Sequence, residues 1–331
     1  MAKVVLGIGT SHGPMLVTPA STWGARVPDD KRSRHYYKGR TWTFDELVDE
    51  RRAERLSEHI IEQAWQRKHA ACQAAIARLA SVLADARPDV LVIVGNDQME
   101  VFRDGLIPAF TVFHGERIVN NPLTPQRLSQ LPEGVRGSIP GYIPASGGSY
   151  AGVPELGLHI VATAAAGGFD IAAMSRLPGE ETPHAFGFVY RQLLADRPVP
   201  SVPVILNTFY PPNQPRVERC YAFGSVLLRA IESWKEDARV ALVASGGLTH
   251  FVINEEVDGI LLDAMRMRDI ERVLELGEAI FQDGTSEAKN WLPVAAAMAE
   301  VKFPMQLVDY VPCYRSEAGT GNAMAFVYWK P

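Results

Sequence analysis

Short, nearly continuous apolar runs alternate along this chain with longer stretches in which apolar residues recur every three or four positions, so the two periods predict strands and helices in turn. Lys3 to Ile8 is mostly apolar and partly β-branched, interrupted only by Gly7, and predicts an opening buried strand with a close backbone approach at that glycine. Thr43, with Glu46 three positions later and Leu47 behind it, is a capping-box signature for a helix start. Helical spacing then runs through Leu56, Ile60 and Ala64 to Leu83, as one long helix or two, ending before Pro88. Val90 to Val94 is a continuous apolar, β-branched run after a helix, the pattern of a strand covered on both faces of a parallel or mixed sheet. Comparable runs recur at Ala109 to Phe113, Ile171 to Met174, Val202 to Leu206, Val240 to Ala244 and Met324 to Trp329, and this alternation predicts an α/β fold. Pro140 to Pro154, dense in Gly, Pro and Ser, reads as a long loop, and Gly157 to Gly167 as a helix.

Composition narrows the function classes. The 331 residues are 47% hydrophobic and 21% charged, an enzyme-sized globular composition, and the absence of a linker or repeat favours one continuous domain over residues 1–331. With 33 Lys and Arg against 38 Asp and Glu, the net charge of -5 carries no basic stripe for neutralising phosphates, so a nucleic-acid partner is disfavoured. Cys72, Cys220 and Cys313 are far apart and include no CxxC pair, which points to a reducing, cytoplasmic setting rather than a disulfide scaffold. There is no uninterrupted apolar stretch of about 20 residues, so no membrane partner is expected, and the N-terminal run is too short for an export signal.

In open α/β sheets ligands bind outside the carboxyl ends of strands, which makes polar residues at strand exits the first candidates for chemistry. Four exits carry them: His12 after the first strand, Asp97 and Gln98 after the second, Asn207 after Val202 to Leu206, and Ser245 to His250 after Val240 to Ala244. The start GIGTSHG is no dinucleotide loop, because His12 stands where the third glycine belongs and Pro14 and Pro19 preclude an immediate helix. Neither GxxxxGK[ST] nor GxSxG occurs, and no cysteine has a nucleophile signature. His and carboxylate residues delivered from separate segments suit instead a metal ion with open positions, as in a facial triad for Fe(II). By residue type alone the reading stops at an α/β enzyme of unspecified reaction.

Several segments, taken in order, carry more: GTSHGPML around His12, GNDQ at the second strand exit, ETPHAFGF around His184, NTFYPPN from Asn207, SGGLTH ending at His250, and SEAKNW around Glu287. Together they resemble the LigB-like class III extradiol ring-cleavage dioxygenases, the family of the protocatechuate 4,5-dioxygenase catalytic subunit. The resemblance implies a LigB-like mixed central sheet flanked by helices and a non-haem Fe(II) centre. It also implies a catecholic aromatic substrate whose ring is opened with O2 next to the diol. His12 resembles the family's first histidine ligand and Glu287 its glutamate. His250 and His184 resemble its two non-ligand histidines, His250 as acid/base and His184 as a hydrogen-bond partner of substrate or oxygen. An imidazole with an ordinary pKa of about 6.5 can take and return a proton near neutral pH.

The sequence departs from the pattern at Gln98, which stands where the second histidine ligand follows the Asp of the strand-exit motif. Three arrangements are open: Gln98 is itself a weak metal ligand through its carbonyl oxygen, water takes the position, or His35, His59 or His69 replaces it. This departure keeps two alternatives in view, a metal-dependent hydrolase or lyase on the same scaffold and a non-catalytic binding subunit. An insertion at about 19–58 is a candidate lid, substrate wall or contact of a homo-oligomer. Arg26, Lys31, Arg32, Arg34 and Arg40 within it are candidates for pairing a substrate carboxylate, although solvated surface cations are the commoner outcome. Tyr36, Tyr37 and Trp42 are candidates to pack on a substrate or a neighbouring subunit.

Overall fold

The apolar runs become strands of one sheet in a computed structural model, which describes residues 1–103, 105–197 and 199–331. Strand β1 (Lys3–Thr10) is followed by the hairpin β2 (His35–Tyr37) and β3 (Arg40–Trp42), then by β4 (Val90–Asn96) and β5 (Phe110–Phe113). A second hairpin, β6 (Arg117–Asn120) and β7 (Gly148–Ala151), precedes β8 (Ala172–Met174), β9 (Ser201–Leu206), β10 (Arg239–Ser245) and β11 (His250–Val252). The chain closes with β12 (Met305–Tyr314) and β13 (Thr320–Trp329). Nine strands form the main sheet in the order β11-β13-β1-β10-β4-β9-β5-β8, with β12 paired to β13. The expected mixed sheet is present: β1, β10, β4 and β9 run parallel, whereas β13 joins β1 and β5 joins β9 antiparallel.

The buried sides of these strands explain the sequence runs. In β4, Val90, Val92 and Val94 face one apolar layer while Leu91 and Ile93 face the other, so every position is covered and no polar alternation is visible. Helices Val217–Ser233 and Trp291–Glu300 contribute to the first layer, and helix Glu62–Ala86 to the second. Each fully buried Val, Leu or Ile contributes about 1.5–3 kcal/mol, which makes these central strands a firm base for what leaves their ends. Gly7 is a close-approach position as expected, since a Cβ there would lie 2.6 Å from Met298 Sδ on helix Trp291–Glu300.

The stretch after Thr43 forms two helices, one of the arrangements its spacing allowed: Phe44–Glu50, started by the full capping box, and the long helix Glu62–Ala86. Other regions differ from the sequence reading. Strand β12 was not expected, and the Pro140 to Pro154 region contains β7 and runs directly into helix Pro154–Ala166. Pro312 is tolerated because β12 pairs on one side only, with β13, so a missing N–H can face away from the ladder. The insertion at 19–58 is fastened to the body by a small apolar cluster, where Tyr37, Trp42, Phe44 and Leu47 meet Val252 and Ala318. Beside it the buried Asp30 carboxylate accepts from Arg315 Nε and Nη2, both at 2.7 Å, and from Thr320 Oγ1 at 2.6 Å.

Candidate metal centre

Three parallel strands, β1, β10 and β4, end side by side, and their exits supply the floor of a cavity of about 260 Å³. His12 lies two residues beyond β1 and is 2% exposed. From the exit of β10, Gly246 and Gly247 pass too close to other groups to carry side chains. A Cβ on Gly246 would be 2.6 Å from the Glu287 carbonyl oxygen, and one on Gly247 would be 2.5 Å from His250 Cε1. The SGGLTH segment is therefore a packing requirement around Glu287 and His250. Glu287 comes from the 3₁₀ segment Asp283–Asn290, and Trp291 pins that segment by donating its indole N–H to the Gly246 carbonyl at 3.1 Å.

Glu287 is the hub. Its Oε2 lies 3.0 Å from His12 Nε2 and 3.5 Å from His250 Nε2, and accepts from the Gly247 amide at 3.2 Å. Its Oε1 accepts from Asn96 Nδ2 at 3.1 Å and from Gln98 Nε2 at 2.5 Å. Asn290 Nδ2 donates to Asn96 Oδ1 at 2.9 Å and so fixes which end of the Asn96 amide meets the carboxylate.

The outer nitrogens of the two histidines fix their tautomers. Ser245 Oγ donates to the Ala185 carbonyl at 2.6 Å, which leaves it to accept from His12 Nδ1 at 3.0 Å. His250 Nδ1 donates to the Leu248 carbonyl at 2.9 Å. With both Nδ1 atoms protonated, a neutral ring presents a bare Nε2 lone pair to a carboxylate oxygen, an arrangement of acceptors that either a proton or a metal ion between them relieves. His184 adds a third ring: its Nδ1 and its backbone N–H both meet the Glu100 carboxylate, at 2.8 and 2.9 Å, and its ring packs edge-on against His12.

Ligand atoms of His12, His184 and Glu287 lie within 4.8 Å of one another, a set of two imidazoles and a carboxylate. Two donors held at right angles about 2.1 Å from one ion are about 3.0 Å apart, which is the observed His12 to Glu287 separation. Hard and borderline divalent ions suit this donor set, and the residues fit a metal on these grounds.

Charge in the cluster follows from burial set against pairing. Burial pushes the His12 pKa below its ordinary value despite Glu287, which keeps that ring neutral and able to ligate. For His184 burial also opposes the charge, but the Glu100 carboxylate outweighs it and raises the pKa to about 9. His250 is raised as well, Glu287 overcoming the cost of burial. Glu287 itself is held well below the usual carboxylate range, because His12 and His250 outweigh its desolvation.

The structure thus brings together His12, His184, His250, Glu287 and Gln98 around one cavity. Gln98 faces the cluster through its amide N–H, which donates to Glu287. The other histidines considered for its position have partners elsewhere: His35 on the Asp30 carbonyl, His59 against Tyr314 and His69 against Trp23. Asn207 closes its own turn by bonding Tyr210 and Asn213. Within the insertion, Lys31 and Arg40 lie over Phe44 and Trp42, Arg32 pairs with Asp29, and Arg26 reaches the cavity. Glu100, Asn96 and Asn290 escaped the sequence reading, while Ser245 entered it only as part of a strand exit. Asn96 stands at a strand exit and Asn290 within the SEAKNW segment, whereas Glu100 carried no signal of position.

The family model described as the catalytic LigB subunit of aromatic ring-opening dioxygenase matches residues 60–321. That span includes Gln98, His184, His250 and Glu287, while His12 lies ahead of it and joins the cluster through the fold. A gallate dioxygenase of Pseudomonas putida KT2440 is 40% identical over 86 residues, 24% of this chain and 25% of that protein, so the match spans about a quarter of that relative's length. A crystal structure of the uncharacterized protein JW3007 from Escherichia coli K12 has the same fold at a TM-score of 0.50 and 14% identity, over 98% of this chain and 99% of that one. With its mixed sheet, the cluster at the strand exits and a family match across most of its length, the chain belongs to the family of the catalytic LigB subunit of aromatic ring-opening dioxygenase.

Proposed function

We propose that the protein is an Fe(II)-dependent extradiol dioxygenase, which opens the ring of a catecholic substrate with O2 beside the diol. The observation that carries this reading is the convergence of His12, His184 and Glu287 on one point at the floor of the cavity, with the outer nitrogen of each histidine already bonded. His12, His184 and Glu287 would hold the ion. Gln98 and Asn96 hold Glu287 by its second oxygen, so that the carboxylate turns Oε2 to the shared point. Iron bound there would polarise both diol oxygens and provide a place for O2 next to the ring.

The remaining work falls to the chain. His250 is the acid/base: its Nδ1–H is anchored on Leu248, so only Nε2 is free to accept the proton of a diol hydroxyl and return it. Glu100 orients His184 through two hydrogen bonds, and Tyr142 donates to the His12 carbonyl at 2.9 Å, fixing the start of the loop that carries Pro14. Leu123, Ile139, Ile143 and Met324 make the cavity apolar enough to favour an aromatic ring and exclude bulk water.

The test is O2 uptake by protein loaded anaerobically with Fe(II), across a panel of catechols, with identification of the product. Uptake matched by a ring-opened product is expected. Iron bound at His12, His184 and Glu287 with turnover that consumes no O2 would replace this reading by a hydrolase or lyase.

A further inference from the structure

Resting on the acid/base reading of His250, we propose that Asp258 is a positioning residue for that histidine, acting through the Leu248–Thr249 peptide to aim its Nε2 at the cavity. Asp258 comes from helix Glu255–Met267, is fully buried, and reaches the site through Thr249.

The relay is one planar unit. Asp258 Oδ1 accepts from the Thr249 N–H at 2.8 Å, and the other end of that same peptide, the Leu248 carbonyl, accepts from His250 Nδ1–H at 2.9 Å. In a trans peptide, as this one is, N–H and C=O are coplanar and point in opposite directions. A carboxylate that fixes the N–H therefore also fixes the direction in which the carbonyl meets the imidazole. The anion polarises the unit as well and makes the carbonyl a stronger acceptor, as hydrogen bonds in series do. With the proton held on Nδ1, the lone pair is left on Nε2, 3.5 Å from Glu287 Oε2.

The rest of Thr249 is fastened too. Its Oγ1 donates to Asp258 Oδ2 at 2.7 Å and accepts from the Asn254 N–H at 2.8 Å, and its carbonyl accepts from the Ala323 N–H at 3.1 Å. Tyr310 donates its hydroxyl to Asp258 Oδ2 at 2.7 Å. Three donors thus converge on Asp258, a number that a carboxylate accepts and that an amide, with one oxygen and an NH2, meets less well. All three are neutral, so burial outweighs them and raises the carboxyl pKa from 3.8 to about 6. Because the folded value is the higher one, the ionised form present at neutral pH destabilises the fold. A buried charge that costs stability, and directs two of its three bonds to the residue before the acid/base, is accounted for by function better than by packing.

The experiment measures kcat and KM in O2 uptake by the Fe(II)-loaded full chain with the most active diol of the catechol panel. The variants are Asp258→Ala and Asp258→Asn, each in the wild-type and His250→Ala backgrounds. Asp258→Ala is expected to lower kcat about tenfold or more with KM within about twofold, since a misplaced proton-transfer group costs rate rather than binding. Asp258→Asn, which retains one acceptor, is expected to lose about threefold. In the His250→Ala background neither is expected to change the residual rate by more than about twofold, because a residue that acts through His250 has nothing left to position. Nitrogen-resolved NMR of the metal-free protein at constant pH gives a readout independent of turnover: the His250 Nδ1–H signal is expected to be slowly exchanging in wild type and to move upfield in Asp258→Asn. If Asp258→Ala does not fold, Asp258→Asn decides by that signal. An unchanged Nδ1–H signal in Asp258→Asn, a kcat for Asp258→Ala within about threefold of wild type, or an equal loss in both backgrounds overturns the proposal. Wild type that opens no ring, with the Nδ1–H shift present, removes the dioxygenase reading and leaves the positioning role; ring opening with the shift absent does the reverse.

Discussion

Ser245→Ala is the sharpest probe of how the chain prepares His12 for a metal. The hydroxyl is fully buried and does two things at once, accepting the His12 Nδ1 proton at 3.0 Å and donating to the Ala185 carbonyl at 2.6 Å. Alanine leaves both a buried N–H and a buried C=O without that partner, and each such loss costs about 1–3 kcal/mol, so unfolding free energy is expected to fall by roughly 2–6 kcal/mol if the strand exit relaxes little. The ring has an escape that matters more. Its proton can move to Nε2, where Glu287 Oε2 waits 3.0 Å away as an acceptor, and a protonated Nε2 cannot ligate. Losing an outer partner of this kind typically costs 10–100-fold in metal affinity. Fe(II) affinity measured anaerobically against a chelator is therefore expected to drop by that factor, and nitrogen NMR of the apo protein should show the His12 proton on Nε2. An unchanged affinity, or a proton still on Nδ1, would refute the tautomer argument and with it the reason for expecting a cation between His12 and Glu287.

Three further outcomes follow from other parts of the structure. His250→Ala is expected to keep metal affinity within about threefold while reducing kcat by at least 100-fold, within the range for a general acid/base; near-wild-type turnover removes that role. Gln98→Ala, which deletes a donor to Glu287 Oε1, is expected to weaken iron binding by about three- to tenfold in chelator competition, and no change would mean that Asn96 and the Gly247 amide position the carboxylate without it. Asp258 is buried with its pKa raised from 3.8 to about 6, burial outweighing its bonds from Thr249 and Tyr310. Because the folded value lies above the unfolded one, its contribution to stability is present below about pH 3.8 and is lost as pH rises through 6. Two pKa units correspond to about 3 kcal/mol, so Asp258→Asn should gain about that much relative to wild type between pH 4 and 7 in denaturant titrations. A difference that stays flat across that window contradicts the assignment.

Legibility in the sequence tracked how local the physical cause was. Strands β4, β9 and β10 were readable because both faces are covered, which forces unbroken apolar runs such as Val90 to Val94. The helix start at Thr43 was readable because a capping box lies within four residues. Strand β12 was not, since its outward positions are polar or half-exposed and Pro312 counts against a strand until its single partner β13 is known. Likewise, no local signal says that residues 35–47 lie against Val252 and Ala318.

The same distinction explains the site, and Gln98 and His184 show where it bites. A motif carries a residue's position in the chain but not the atom it turns towards its neighbours. Gln98, at a ligand position by motif, has a side chain with a donor at one end and an acceptor at the other, and the choice is made by Glu287 Oε1. That carboxylate oxygen needs donors, since its twin already faces two imidazoles, and an amide N–H supplies one where another acceptor would repel it. His184 is oriented by Glu100, which is 84 residues away in sequence and only two residues beyond Gln98. A chain with glutamine at that strand exit can therefore still complete a set of two imidazoles and a carboxylate, provided the turn after β4 carries a glutamate to hold the incoming histidine. Glu100→Gln tests that dependence. It keeps the size of the side chain but replaces a charged acceptor by a neutral one, and an amide can accept from Nδ1–H through one oxygen only, so the hold on the ring loosens. Metal affinity is expected to fall with the geometry retained, and an affinity equal to wild type would detach His184 from the ligand set.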